Sequence, residues 1–186
     1  MIPMLETSRL RLRGPGYGDA RRLVEYLGNF AVSGNLAKVP HPYTADDAWE
    51  WLSRWRADAR PSQAQFVIEL KGEGAAGAVS FREEDGVAIL GYWLGEPHWG
   101  QGLMSEALYA VLDWYFDVTE ADIVVSGAFH FNMASEALQM KFGFVETGRS
   151  TRHCLARGEE LEHIDTELTR EAYLLSRPKP KGIAAQ

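Results

Sequence analysis

A single stretch limits what this chain can fold into more than any other. Val87–Leu94 is an apolar run of strand character, and Gly95-Glu96-Pro97-His98-Trp99-Gly100-Gln101-Gly102 follows it. From Leu103 onward Met104, Ala107, Leu108, Val111, Leu112 and Tyr115 recur at helical spacing. A strand that passes through a glycine-bearing loop into a helix N-terminus points several unpaired backbone N–H groups at one place, where the helix dipole adds partial positive charge. Such a spot suits a phosphate or pyrophosphate, and glycines let the anion approach the backbone. For the loop alone, a plain strand–helix turn is the competing reading. No Gly-Lys-Ser/Thr follows, which excludes a P-loop, and Ser105 stands where the dinucleotide fingerprint requires its third glycine.

Composition narrows the class. The 186 residues favour one domain over 1–175, and 46% hydrophobic content supplies a core that needs neither disulfide nor metal. Cys154 is the only cysteine, so an internal disulfide and a multi-thiolate zinc cage are both excluded. The net charge of −7, from 19 basic and 26 acidic residues, argues against nucleic-acid binding and leaves room for a cationic partner. No apolar run approaches the ~18 residues of a membrane span, and Met1-Ile2-Pro3-Met4-Leu5-Glu6 lacks the order of a signal peptide. The expectation is a cytoplasmic, mixed α/β protein with no membrane or nucleic-acid partner.

The remaining elements follow from local pattern. Arg9–Gly14 alternates as a strand, Asp19 is expected to cap a helix bearing Leu23, Val24 and Leu27, and 29–43 reads as irregular. Thr44 with Asp47 signals the start of a helix carrying Trp51, Leu52 and Trp55, closed by Pro61. Phe66–Leu70 and Gly77–Phe81 read as strands, with a hairpin turn at Glu83-Glu84-Asp85-Gly86. Ile123-Val124-Val125 is a buried strand, and Asn132 opens a helix that Gly143 ends. A final hairpin turns at Arg157-Gly158, which is expected to set His153 nearly opposite His163; such a pair could bind a metal or take a proton, but without a third ligand it more often covers a sheet face. The basic, proline-rich tail over 176–186 is expected to be disordered.

Asn132-Met133-Ala134-Ser135, leading to Lys141-Phe142-Gly143-Phe144, is the second constellation, and helix capping accounts for it when taken alone. Taken with Leu90-Gly91-Tyr92-Trp93-Leu94 and Pro97–Ala107, it resembles the GNAT acetyltransferases, and within them the RimJ/RimL-type N-acetyltransferases. Leu5–Arg13, Pro40-His41-Pro42-Tyr43-Thr44 and Leu168-Thr169-Arg170-Glu171 fit the same pattern, so the resemblance spans roughly 5–175. It implies a GNAT fold: a central, mixed, mostly antiparallel sheet of about seven strands, splayed in the middle and flanked by about four helices. It also implies acetyl-CoA as acetyl donor and a primary amine as acceptor, either a protein N-terminus or a small amine such as a polyamine or antibiotic. A homodimer is left open.

The same resemblance assigns the site. Cofactor contacts fall on Trp93, Leu94, Trp99, Gly100, Gln101, Gly102, Leu103, Met104, Ser105, Asn132, Ser135 and Lys141. Trp99 and Met104 depart from the family's Gln/Arg-x-x-Gly-x-Gly/Ala pattern, so the pyrophosphate must rely on main chain and on donors such as Gln101 and Ser105. The Leu94 amide is the expected oxyanion donor. Gln139 occupies the place where many members carry a proton-donating tyrosine; the resemblance to RimL-like members, which use a serine at the position of Ser135, implies Ser135 as candidate acid with Asn132 positioning it. The base is not identified: Glu83, Glu84 and Asp85 read as solvated, His41 and His98 flank relevant segments, His130 and Cys154 read as packing, and Glu106 complements the helix dipole. Without turnover, the same features would describe a CoA-binding sensor.

Overall fold

The computed structural model describes residues 1–177, so 178–186 of the expected tail lie outside the described residues. Period-2 patterning builds one sheet. In β2 (Leu10–Arg13) both leucines are buried and both arginines half-buried, and β3 (Gln65–Leu70) carries fully buried Phe66, Val67 and Ile68. With β1 (Leu5–Glu6), β4 (Gly74–Glu84), β5 (Val87–Leu94), β6 (Ile123–Phe129), β7 (Val145–Cys154) and β8 (Glu159–Thr169), the strand order is β1-β2-β3-β4-β5-β6-β8-β7. Every pairing is antiparallel except β5 with β6. The sheet has one strand more than expected, the two-residue β1.

Helices cover both faces. α1 (Ala20–Leu27), α2 (Phe30–Ser33) and α3 (Ala45–Ser53) build a smaller core of Leu23, Leu27, Val32, Tyr43, Ala48 and Leu52. On the other face α4 (Leu103–Val118), α5 (Met133–Phe142) and α6 (Arg170–Ser176) close the main core, where the Phe81 and Tyr115 rings stack with centroids 4.4 Å apart. Burying aromatics of this size contributes on the order of 2–3 kcal/mol each. Local signals start and stop the helices as their chemistry dictates. Thr44 and Asp47 form a reciprocal capping box, and Gly143 ends α5 at φ +93°.

Several expectations are corrected. Asp19 stands at the N-cap position of α1 but its side chain makes no capping bond there: it closes a short 3₁₀ turn, Tyr17–Asp19, and its carboxylate accepts from the Gly16 amide and from Arg13 at 2.8 and 2.9 Å. The 29–43 segment contains α2, capped by Asn29. α3 ends at Ser53, and Pro61 instead opens the turn Pro61–Gln63. Ser176, expected in the tail, is the last residue of α6, and its hydroxyl donates to the Phe142 carbonyl at 2.7 Å. The final hairpin pairs Cys154 with Glu159, which sets His153 against Glu160 and His163 against Ser150. The two histidines therefore do not face each other.

The site is made where the parallel pair fails. β5 and β6 are in register only at Ala88↔Val124 and Ile89↔Val125. Beyond them the Ser126 hydroxyl donates to the Leu90 carbonyl at 3.0 Å in place of a ladder bond. β5 then continues along β4 to Leu94↔Gly77, while β6 continues along β8 to Phe129↔His163. The strands part, as the family resemblance implied. The divergence leaves a gap in the middle of the sheet.

Candidate active site

The gap opens into a cavity of about 550 Å³, walled by Tyr92, Trp93 and Leu94 of β5, the Gly100–Ser105 turn, and Asn132 with Ser135 at the start of α5. Its volume is that of an ordinary ligand pocket. Gly100 and Gly102 hold the turn at φ +71° and +73°, a left-handed backbone that other residues rarely adopt. Among the described residues the amides of Gly100, Gln101, Gly102, Leu103, Met104 and Ser105 donate to no protein acceptor, and Gly102 caps α4 without a side-chain bond. They are the orphan donors of a helix start, extended backward by the glycine turn. Such a run fits a pyrophosphate. The Trp99 amide is not part of it, since it donates to the Glu96 carbonyl at 3.1 Å, and its indole N–H holds the Leu94 carbonyl at 2.8 Å.

Side chains around the turn divide into two groups. Ser105 lines the cavity and accepts from Lys141 Nζ at 3.0 Å, which brings a cation beside the free amides. Gln101 is turned away: its amide donates to the Pro97 carbonyl at 2.9 Å, leaving only its main chain for the anion. Beneath the turn, Glu106 accepts from the Thr7 and Ser8 hydroxyls, the Arg9 amide and the Arg9 guanidinium, which also bonds the Gln101 carbonyl at 2.9 Å. Burial alone would raise the Glu106 carboxyl, but these hydrogen bonds outweigh it and hold the group down at about 2. Glu106 is thus a clamp between the N-terminal segment and the turn, more than a dipole partner.

The Leu94 amide faces the gap. Gly95 donates to the Ala76 carbonyl on the β4 side at 2.8 Å. Alternation along an extended strand turns the preceding Leu94 N–H the other way, toward the missing neighbour. Trp93 points to the opposite sheet face and packs against the α1–α3 core.

At the start of α5 the Asn132 side chain caps the Ser135 amide at 3.2 Å, so Asn132 positions Ser135 through its backbone. The Ser135 hydroxyl lies 2.8 Å from the Tyr92 hydroxyl and 3.2 Å from Gln139 Nε2. Gln139 is buried and is fixed by the Thr166 hydroxyl at 2.6 Å on Oε1, and Nε2 also reaches the Tyr92 hydroxyl at 3.1 Å. Burial raises the Tyr92 phenol despite these bonds, so it stays protonated at neutral pH. Tyr92 and the hub role of Gln139 were missed in the sequence, where an aromatic on an apolar strand reads as core.

Most other candidates fall away from the gap. Glu83 is held by Arg60 and Ser62, and Glu84 by Arg82. His98 lines the larger cavity, but its ring is buried against the Tyr26 hydroxyl at 3.0 Å, and His41 sits beside Ser33. His130 is exposed in a turn rather than packed in a strand. Cys154 is buried against the backbone of 34–36, as expected of a small apolar residue. No helix among the described residues is long and apolar enough to cross a membrane.

A parted sheet whose edge amide, free-amide turn and hydroxyl pair converge on one cavity defines an acyltransferase of the GNAT type. The Acetyltransferase (GNAT) domain model matches residues 9–145, and the chain belongs to that family, the acetyl-CoA-dependent N-acetyltransferases. It is 26% identical over 183 residues to the [ribosomal protein uS5]-alanine N-acetyltransferase of Escherichia coli, covering 89% of this chain and 90% of the relative. Among solved structures it resembles RimL, a ribosomal L7/L12 α-N-protein acetyltransferase in complex with coenzyme A, with a TM-score of 0.78 at 20% identity over 91% of this chain and 99% of the other. It also resembles the Vibrio cholerae spermidine N-acetyltransferase in complex with CoA and spermine, with a TM-score of 0.76 at 21% identity over 90% and 99%.

Proposed function

We propose that the chain acetylates the free α-amine of a protein or peptide N-terminus in the cytoplasm. Acetyl-CoA, when bound, supplies an activated acetyl thioester. The free amides of 100–105, with Ser105 and Lys141, hold the pyrophosphate, and the Leu94 N–H polarises the thioester carbonyl as an oxyanion donor. Gln139 Nε2 lies within hydrogen-bond distance of both hydroxyls of the Tyr92–Ser135 pair and of the Gly127 carbonyl. Either hydroxyl of the pair can donate to the other; with Tyr92 as donor, the Ser135 proton is free to meet the departing sulfur. An α-amine near pKa ~7.7–8 is appreciably neutral at pH 7, whereas a lysine amine near ~10.4 is not, so the chemistry asks little of the base.

The observation that carries the choice of acceptor is the lining. No aspartate or glutamate lines the cavity, nor the smaller pocket of about 120 Å³ that shares Tyr92, Asn132 and Ser135 with it, among the described residues. A polyamine bears further cations behind the reacting nitrogen, and a site for it needs carboxylates to meet them. A peptide N-terminus presents one amine followed by uncharged backbone. Mass spectrometry of peptides beginning with Ala or Ser, alongside spermine, after incubation with the chain and acetyl-CoA tests this. Acetylation of peptides in preference to spermine is expected; preference for spermine overturns the acceptor, and CoA binding without transfer to any amine favours the sensor reading.

A further inference from the structure

We propose that His163, oriented by Asp165, is the general base that takes the proton from the acceptor amine, an inference that rests on the transferase reading above. The smaller pocket lies in the gap itself, between Leu90 and Gly91 of β5 and Ser126–Phe129 of β6, and it shares Tyr92, Asn132 and Ser135 with the larger cavity. His163 is the imidazole on its wall. Along β8 the buried Ile164, Thr166 and Leu168 point to one sheet face, where Thr166 meets Gln139 of α5. His163 and Asp165 therefore stand on the opposite face. The ring reaches the pocket from the side away from α5, where an acceptor can enter without crossing the hydroxyl pair.

The ring is held in place. Gly127 of β6 leaves room for it, since a Cβ there would stand 2.3 Å from His163 Cε1, and Phe129 meets it edge-on at 5.7 Å. Nδ1 lies 2.9 Å from Asp165 Oδ1, and Arg152 of β7 donates to the same oxygen at 3.2 Å. With Nδ1–H committed to a carboxylate, the lone pair of the neutral ring resides on Nε2. Among the described residues Nε2 has no hydrogen-bond partner and is not among the fully buried unpartnered atoms, and the ring lines the pocket. Ser150, opposite on β7, turns its buried hydroxyl toward Asp165 and helps Arg152 and His163 hold that carboxyl down against burial.

The charge state suits a base. Burial pushes the His163 imidazolium below its ordinary 6.5, aided by Arg152 and opposed by Asp165, so the ring is neutral at pH 7. Asp165 and Arg152 are the charged groups facing it; β6 and the 35–37 segment contribute no titratable side chain to the pocket, and Tyr92 is the other titratable group there. A weak base suffices, because the amine nitrogen becomes far more acidic once it bonds the acyl carbon. As the C–N bond forms and the C–S bond breaks, the amine proton passes to Nε2 while its bonding pair stays on nitrogen. The thiolate takes the Ser135 proton, which Tyr92 and solvent restore, and His163 returns its proton to water.

Steady-state acetylation by the full chain tests this, with Ala- and Ser-initial peptides, spermine and butylamine as acceptors. His163→Gln should lower kcat/KM about 10²-fold or more at pH 7 while the Kd for CoA is unchanged. In the wild type, log kcat/KM against pH should steepen toward a slope of about two at the acid end, below the usual imidazole range, where both amine and imidazole protonate; the variant should keep a slope of about one. Imidazole in the buffer should partly restore His163→Ala, and Asp165→Asn should move the steep limb to lower pH. Wild-type kinetics in His163→Gln would overturn the assignment. So would a lost rate with an unchanged profile and no imidazole rescue, which marks a structural role. Acetylation of none of these amines by CoA-binding wild type would overturn the transferase reading itself.

Discussion

At Ser135 one hydroxyl has two neighbours with fixed roles. Gln139 can only donate through Nε2, and its Oε1 is occupied by Thr166, so the proton between Tyr92 and Ser135 is free to sit on either oxygen. In the function proposed above, a side chain placed this way acts on the leaving sulfur, and the pyrophosphate rests on main chain several residues away. Ser135→Ala should therefore lower kcat by about 10²-fold, the low end of general acid catalysis, with the acetyl-CoA Kd unchanged by titration calorimetry. The motif made Asn132 and Ser135 readable, because a cap residue and its partner are three positions apart. Tyr92 was not readable. Its hydroxyl matters only because β5 brings it to α5, and nothing local marks that approach.

At the scale of elements, the β5–turn–α4 unit is the most legible part of the chain. Positive φ at Gly100 and Gly102 follows from residue identity, and β5 has the bounds that the sequence predicts. Gly102→Ala places a side chain at φ +73°, at a strain of about 1–2 kcal/mol. The CoA Kd should rise at least tenfold, read by the same calorimetry. The Glu106 clamp ties β1–β2 to that unit and gives the fold an acid dependence. Its carboxyl is held near 2 against an ordinary 4.5, so its stabilisation is complete above about pH 4.5 and is lost as pH falls toward 2. In Glu106→Gln, urea midpoints should vary less over that range than in the wild type. Short elements were illegible: α2 is a single turn, and β1 is two residues whose role exists only beside β2.

At the scale of the whole molecule, the two faces of the sheet divide the labour. α4 and α5 frame one side of the larger cavity, while α1–α3 and the tip of the β7–β8 hairpin cover the other face, with Val32, Asn35 and Leu36 also reaching the cavity wall. Arg157 at that tip bonds the Gly34 carbonyl at 2.8 Å and lies over the Phe30 and Phe131 rings at 5.1 and 4.5 Å. Arg157→Ala should loosen the hairpin from α2 and raise the acceptor KM severalfold while the acetyl-CoA KM changes little. The expected facing of His153 and His163 failed at this scale, because hairpin register depends on where the turn closes, and Cys154↔Glu159 places it three residues from the alignment those histidines need. The sequence brings His163 into view only as the partner of His153; its pairing with Asp165 on one face of β8, across Gly127, on which the proposed base rests, appears only in the fold.

The most direct test is a crystal structure of the chain with acetyl-CoA. The account predicts the pyrophosphate on the amides of residues 100–105, the thioester oxygen within hydrogen-bond distance of the Leu94 N–H, and the acetyl methyl in the gap between β5 and β6. Phosphates bound elsewhere on the surface, or a ligand-filled cavity with the thioester outside the gap, would contradict it.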